Sequence, residues 1–206
     1  MQSGYILIVE DVPDILRLLE ATLKFKGYRA VTAFNGQEAL EQIKRERPTL
    51  IITDIMMPKL DGFGLVHRLR IDPETRDIPV IFLTATYVAL EDKAFALNIG
   101  ATRFIEKPVN FDKFLGTIEE LLKEGAPVDP PQMSEAEFYE GYRQRLEKKL
   151  QQKVTQIARD ERLLTTISED EKHTFRASLQ MAWNERDEIE RLLSELQTRI
   201  ENNSKS

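Results

Sequence analysis

Short runs of apolar residues alternate with longer amphipathic stretches over the first 125 residues. The short runs consist of β-branched and other apolar residues bounded by turn-forming or charged residues, which is typical of buried strands. Between them, apolar residues recur three or four positions apart, which is the spacing of a helix with one buried face. This pattern predicts strands at Tyr5–Val9, Tyr28–Ala33, Leu50–Thr53, Pro79–Thr84 and Thr102–Glu106.

Helix boundary signals fit between these runs. Pro13 opens the first helix, where proline is well tolerated, and Gly27 closes it. The second begins at Asn35-Gly36 and ends by Pro48. Strict alternation of strands and helices predicts a parallel sheet covered on both faces with right-handed crossovers. The remaining predicted helices are Leu60–Arg70, Leu90–Asn98 and Asn110–Lys123.

The periodicity changes after residue 125. A proline-rich linker at 126–132 is followed by a helical extension at 133–206. Ser134 with Glu137 and Ser168 with Glu171 have the spacing of capping boxes, which predicts two long helices. The first helix has an apolar stripe at Tyr139, Tyr142, Leu146, Leu150, Val154, Ile157 and Leu164. The second has one at Phe175, Leu179, Ala182, Ile189, Leu193, Leu196 and Ile200.

Complementary charge favours an antiparallel hairpin for these two helices. If the chain reverses near Ser168, the basic residues of the first helix face the acidic residues of the second. One hairpin cannot bury two full stripes, so we expect two copies to form a dimeric four-helix bundle. The basic residues are Arg143, Arg145, Lys148, Lys149 and Lys153, and the acidic ones are Glu185, Asp187, Glu188 and Glu190.

The amino-acid composition excludes several kinds of functional site. The chain has no cysteine and two histidines, which excludes disulfides, thiol catalysis and a histidine-rich metal site. The net charge is −6, and neither part of the chain has the basic excess of a nucleic-acid module. No apolar run is long enough to span a membrane, and the N-terminus does not resemble a signal peptide. We therefore expect a cytoplasmic protein.

Polar residues stand at four predicted strand ends. Glu10-Asp11, Asp54, Thr84 and Lys107-Pro108 follow the first, third, fourth and fifth strands. The carboxyl ends of parallel strands share one edge, where ligands bind in open sheets. Three carboxylates that meet there repel one another, and a hard divalent cation with oxygen ligands such as Mg²⁺ would resolve the repulsion.

Acids, Mg²⁺, a lysine and a hydroxyl donor together suit phosphoryl transfer. The chain has no glycine-rich nucleotide loop, so a side chain is the expected acceptor, and Asp54 is central. Taken singly, Asp54 could be a helix cap, Thr84 would be a structural residue and Phe104 a core residue. We expect His67 to be a surface residue rather than a ligand, and Asp61-Gly62 to form a turn.

Residues 1–125 resemble the receiver domain of two-component response regulators. The resemblance rests on the acidic pair Glu10-Asp11, the stretch Asp54-x-x-Met57-Pro58-x-x-Asp61-Gly62, Thr84-Ala85 and Lys107-Pro108, in this order and at this spacing. It implies a flavodoxin-like fold and transfer of a phosphoryl group from a sensor histidine kinase to Asp54.

The resemblance also implies a role for each matched residue. Glu10, Asp11 and Asp54 would hold Mg²⁺ together with the backbone carbonyl of Met56. Lys107 would pair with the carboxylate and then with the phosphoryl group. Thr84 would move toward the phosphoryl oxygen, and Phe104 would turn inward in response, without the hydroxyl of the tyrosine found in many receivers.

The output is open between three hypotheses. The favoured one is a phosphorylation-controlled interaction or dimerisation module that engages an unidentified downstream protein, with no enzymatic activity beyond its own phosphorylation and dephosphorylation. The second is a phosphorelay intermediate, since Lys172-His173-Thr174-Phe175 faintly resembles a phosphotransfer motif and would make His173 a carrier. The third is a transcriptional regulator with a divergent DNA-binding output.

Overall fold

The computed structural model describes residues 4–84, 90–124, 133–166 and 169–203. They divide into two compact units, Met1–Met133 and Ser134–Ser206. The predicted linker at 126–132 and the predicted cap Ser168 lie outside the described residues. No helix in the described ranges is both long enough and apolar enough to cross a bilayer.

The first unit is a five-stranded parallel sheet with helices between the strands, as predicted. The strands are β1 (Ile6–Val9), β2 (Ala30–Ala33), β3 (Leu50–Asp54), β4 (Val80–Thr84) and β5 (Arg103–Glu106). The helices are α1 (Pro13–Phe25), α2 (Gly36–Arg45), α3 (Gly62–Ile71), α4 (Leu90–Asn98) and α5 (Phe111–Glu124). The strand order is β2-β1-β3-β4-β5, which is the flavodoxin-like arrangement.

The three central strands, β1, β3 and β4, are buried on both faces, which explains why they are almost continuously apolar rather than alternating. On one face, Ile8, Ile52 and Ile81 belong to a core completed by residues of α1 and α5. On the other face, Phe82 meets the ring of Phe63 edge-to-face at 5.5 Å. Each fully buried aliphatic or aromatic side chain contributes about 1.5–3 kcal/mol, so this double-sided core dominates the stability of the unit.

Most boundaries lie within one residue of the predictions, and two differ by two residues because of local hydrogen bonds. β2 begins at Ala30 rather than at Tyr28, since Gly27 has φ +83° and the Tyr28 amide donates to the Leu23 carbonyl, which closes α1. α3 begins at Gly62 rather than at Leu60. There the Asp61 side chain accepts a hydrogen bond from the Gly64 amide at 2.8 Å and caps the helix.

The second unit consists of α6 (Glu135–Leu164) and α7 (Glu169–Asn203), which pack against each other. Ser134 and Glu137 form the predicted capping box. Ile157 packs with Leu179 and Ala182, and Lys153 Nζ lies 2.5 Å from Glu185 Oε2. These contacts join residues whose numbers rise along α6 and fall along α7, so the two helices form the predicted antiparallel hairpin.

The predicted apolar stripe of α6 was partly wrong. Val154 is 49% exposed, whereas Phe138, which was not in the predicted stripe, is buried and stacks on Tyr142. The predicted stripe advances by four residues from Leu146 to Leu150 and again to Val154. Because a helical turn has fewer than four residues, these steps rotate Val154 out of the buried face. On α7, Leu179, Ala182, Ile189 and Leu196 are buried as expected, and Leu192, which was missed, is buried too.

Two glycine substitutions are expected to have opposite effects on stability. A Cβ at Gly62 would lie 2.2 Å from the Asp54 carbonyl oxygen, so Gly62→Ala should lower the free energy of unfolding by about 2–4 kcal/mol. A Cβ at Gly116, inside α5, meets no atom within 4 Å, so Gly116→Ala should raise it by about 0.5–1 kcal/mol. Urea denaturation of both variants tests this. Equal effects would contradict the close packing at Gly62.

Candidate functional site

The carboxyl ends of four strands bring the predicted site residues to one edge of the sheet. Asp54 is the last residue of β3 and Thr84 the last of β4, while Glu10 follows β1 directly. The parallel register pairs Val9 with Thr53 and Thr84 with Glu106, so the β1, β3, β4 and β5 ends lie side by side. Lys107 enters from the residue after β5, where its amide donates to the Thr84 carbonyl at 2.6 Å.

Lys107 brings a positive charge to this edge, where it contacts two carboxylates. Its Nζ lies 2.7 Å from Glu10 Oε2 and 3.3 Å from Asp54 Oδ2. The sequence led us to expect a pairing with Asp54, but the shorter contact is to Glu10. Glu10 is 0% exposed, so its charge cannot be solvated by water and depends on a protein partner.

Burial governs the electrostatics of all three carboxyl groups. It raises the pKa of Glu10, Asp11 and Asp54 above their ordinary values, and neighbouring acids raise each of them further. Lys107 opposes the increase in each case. Burial works against the charged form of Lys107, but attraction by Asp54 and Glu10 outweighs it and raises the pKa of the lysine. The site is therefore short of positive charge.

These carboxylates fit a hard divalent cation. Ligand oxygens of Glu10, Asp11 and Asp54 all lie within 4.8 Å of one another. Asp54 Oδ1 accepts a hydrogen bond from the Ile55 amide at 2.8 Å, and Glu10 Oε1 accepts one from the Val12 amide at 3.2 Å, which hold both side chains in place. Oxygen donors and a surplus of negative charge are what Mg²⁺ selects.

The remaining predicted residues lie near the same edge. Thr84 is buried at the end of β4, with 2% exposure. Phe104 is half-buried on β5, edge-to-face with Phe82 at 6.1 Å, and Lys93 Nζ lies 5.8 Å from its ring centroid. Met56 follows β3 by two residues, which places its backbone at this edge, and its role as a carbonyl ligand stays a prediction.

Two histidine expectations have different outcomes. His67 was expected on the surface, but it is buried, with 5% exposure, because α3 is covered on almost all sides. A short helix with apolar residues on several faces was the signal for this burial. His173 falls on α7, and its side chain lies outside the described part of the structure, so its predicted carrier role is neither supported nor opposed.

Comparison with known proteins identifies the first unit. Residues 6–119 match the family described as the response regulator receiver domain. A relative from Porphyridium aerugineum named "Probable transcriptional regulator ycf27" is 39% identical over 123 residues, which cover 60% of this chain and 50% of that protein. The response regulator PleD of Caulobacter vibrioides is 36% identical over 134 residues, which cover 65% of this chain and 29% of that protein.

Solved structures agree with the family match. The receiver domain of a signal transduction histidine kinase from Syntrophus aciditrophicus is 38% identical with a TM-score of 0.55, covering 59% of this chain and 91% of that one. Chemotaxis protein CheY4 of Vibrio cholerae is 32% identical with a TM-score of 0.54, covering 57% and 97%. This chain spans half or less of the length of the two curated relatives.

The charge balance of the site predicts that two substitutions shift stability in opposite directions. Without metal, Asp54→Asn should raise the free energy of unfolding at neutral pH by about 1 kcal/mol, because it removes a buried carboxylate whose pKa in the folded state is raised. The gain should shrink as the pH falls through that raised pKa, since the aspartate is then neutral as well. Lys107→Met should lower the free energy of unfolding by about 3 kcal/mol, because Glu10 would lose its counter-charge.

Chemical denaturation in a chelator-containing buffer measures both values. Lys44→Met, on the exposed face of α2, is the matched control for loss of a lysine. A Lys107→Met variant as stable as this control would contradict the ion pair with Glu10.

Proposed function

Because this chain belongs to the response regulator receiver domain family, we propose that Asp54 accepts a phosphoryl group from the phosphohistidine of a sensor histidine kinase. The observation that carries this proposal is the meeting of Glu10, Asp11 and Asp54 within 4.8 Å, with Lys107 in contact with two of them. Such a site has the charge that phosphoryl transfer requires and a carboxylate at its centre.

The proposed transfer step uses the carboxylate of Asp54. Oδ1 is held by the Ile55 amide, whereas Oδ2 faces Lys107 at 3.3 Å. A carboxylate oxygen attacks phosphorus, the bond from phosphorus to the kinase imidazole nitrogen breaks, and the imidazole leaves with the electron pair. The product is an acyl phosphate on Asp54 and a free histidine on the kinase.

Glu10, Asp11 and Asp54, with the carbonyl of Met56, would hold Mg²⁺, which supplies neutralising charge to the phosphoryl oxygens when bound. Lys107, whose Nζ lies 3.3 Å from Asp54 Oδ2, would pair with the phosphoryl group once Asp54 carries it as an acyl phosphate. The Thr84 hydroxyl would donate a hydrogen bond to a phosphoryl oxygen, and Phe104 would follow it inward. These roles are those that the resemblance to receivers predicts.

The output we propose is a change in protein contacts rather than a chemical reaction. The second unit is a hairpin whose facing charges include the Lys153–Glu185 pair, and it leaves Val154 and Met181 largely exposed, at 49% and 66%. These features support self-association through the helices, which would form a four-helix bundle, or contact with a downstream protein. The predicted absence of DNA binding and the cytoplasmic location remain part of this proposal.

Phosphorylation by a small phosphodonor such as acetyl phosphate should label the full chain only when Mg²⁺ is present. Asp54→Asn should remove the label, because an amide replaces the nucleophilic carboxylate. Asp11→Asn should lower labelling by at least about tenfold, because a metal ligand is lost. Incorporation measured by intact mass or radiolabel checks each outcome. Uptake that is unchanged in excess chelator would overturn the metal assignment.

The same assay distinguishes a phosphorelay intermediate from a terminal receiver. Label that survives on Asp54→Asn and vanishes when His173→Gln is added would favour a phosphorelay intermediate over a terminal receiver. Labelling that depends on Asp54 alone would support a terminal receiver.

Sedimentation tests the dimer. The full chain should sediment as a dimer of 23.8 kDa subunits, and residues 1–125 alone should be monomeric, because the proposed contact lies in the helices. A full chain that stays monomeric at high concentration would rule out the four-helix bundle. A salt-sensitive shift of duplex DNA by the full chain would instead favour the DNA-binding alternative.

A further inference from the structure

A cavity of about 230 Å³ lies where α3 and α4 end, at the edge of the sheet where the strands begin. In a parallel α/β sheet this edge is opposite the one that carries Asp54. The cavity belongs entirely to the first compact unit. It is lined by His67, Arg70, Ile71, Arg76, Ile99 and Met133.

Arg70 is fixed in the wall of this cavity. It is 5% exposed, and its Nε and Nη2 both donate to the Gly100 carbonyl oxygen, at 3.0 and 2.8 Å. Gly100 has φ +100°, and a Cβ there would lie 2.6 Å from Arg70 Nε, so the close approach requires glycine. The edge of the guanidinium formed by Nε and Nη2 is therefore held by Gly100, and Nη1 lies on the opposite side of the group.

Nη1 is buried and donates to no acceptor in the part of the chain that the structure describes. A buried cationic donor without an acceptor destabilises the fold, and native proteins rarely retain one unless a water, an anion or a ligand accepts its hydrogen bond. Burial lowers the pKa of Arg70 to about 10, so the group remains charged at neutral pH. Asp77 attracts it, but the Asp77 carboxylate is already paired with Arg47 at 2.6 Å.

The charge and the volume of the cavity define which ligands would fit into it. Arg76 adds a second guanidinium on the lining, and its side chain is exposed. The volume is below the roughly 300–1,000 Å³ of pockets for drug-sized ligands but ample for a phosphate or a short dicarboxylate. A guanidinium matches the oxygen atoms of both.

We propose that this cavity is a binding site for a small oxyanion, a phosphate or a carboxylate, which accepts a hydrogen bond from Arg70 Nη1 and is attracted by Arg76. The site is separate from the phosphoryl-transfer edge and does not depend on the function proposed for Asp54. Arg70 positions the anion through its fixed guanidinium, and Arg76 supplies charge.

Titration of the full ¹⁵N-labelled chain with inorganic phosphate and with succinate, in metal-free buffer at constant ionic strength, tests the site. The Arg70 Nε–H and Gly100 amide signals should shift and saturate with at least one of the two anions. Arg76→Gln should weaken binding about threefold to tenfold without unfolding the chain, because that side chain is exposed. Arg70→Lys should weaken it by more than about tenfold, since the fixed fork is lost.

Arg45→Gln is the matched control, because it removes an exposed guanidinium from the end of α2 and should leave the affinity unchanged. Saturating shifts that Arg76→Gln weakens and Arg45→Gln preserves would support the site. Shifts that chloride reproduces, that never saturate, or that appear only around Asp54 and Thr84 would overturn it, and Nη1 would then be completed by water.

Discussion

The contact of Lys107 with Glu10 and Asp54 is the interaction on which the functional edge depends. Glu10 is fully buried and Asp54 largely so, and neither charge is stable in that position without a cation. One lysine cannot neutralise three carboxylates, so the pKa of each stays raised. The same imbalance that weakens the fold locally is what would attract a divalent cation and then a phosphoryl group.

The parallel sheet makes this arrangement possible. Because β1, β3, β4 and β5 run in one direction, residues far apart in the chain arrive at one edge, as Glu10 and Lys107 do across 97 positions. The register of the strands sets the position of each side chain along this edge. Gly62 adds a second constraint, since α3 begins so close to the end of β3 that no Cβ fits between them.

The two units follow different rules. The first is stabilised by an apolar core that covers both faces of its sheet. The second is a two-helix hairpin in which a lysine–glutamate pair occupies part of the contact and large apolar side chains remain outside it. A sheet with helices on both faces has a core of its own, whereas two helices packed on each other bury only the stripe between them and gain stability from a partner. That difference is the physical basis for proposing that the output is an association.

Local patterns in the sequence determined the strands, the helices, the capping box at Ser134 and the set of polar residues at the strand ends. These depend on periodicity and on turn chemistry, which act over a few residues. The comparisons bear out the family and the fold, while the individual site roles remain predictions.

Tertiary structure alone decided that Lys107 lies nearer to Glu10 than to Asp54 and that His67 is buried. It also decided that Phe138 is buried while Val154 is exposed, and that Arg70 is fixed by Gly100 beside a cavity. Each of these is set by distances between residues remote in sequence. Periodicity along the chain carries no record of such distances.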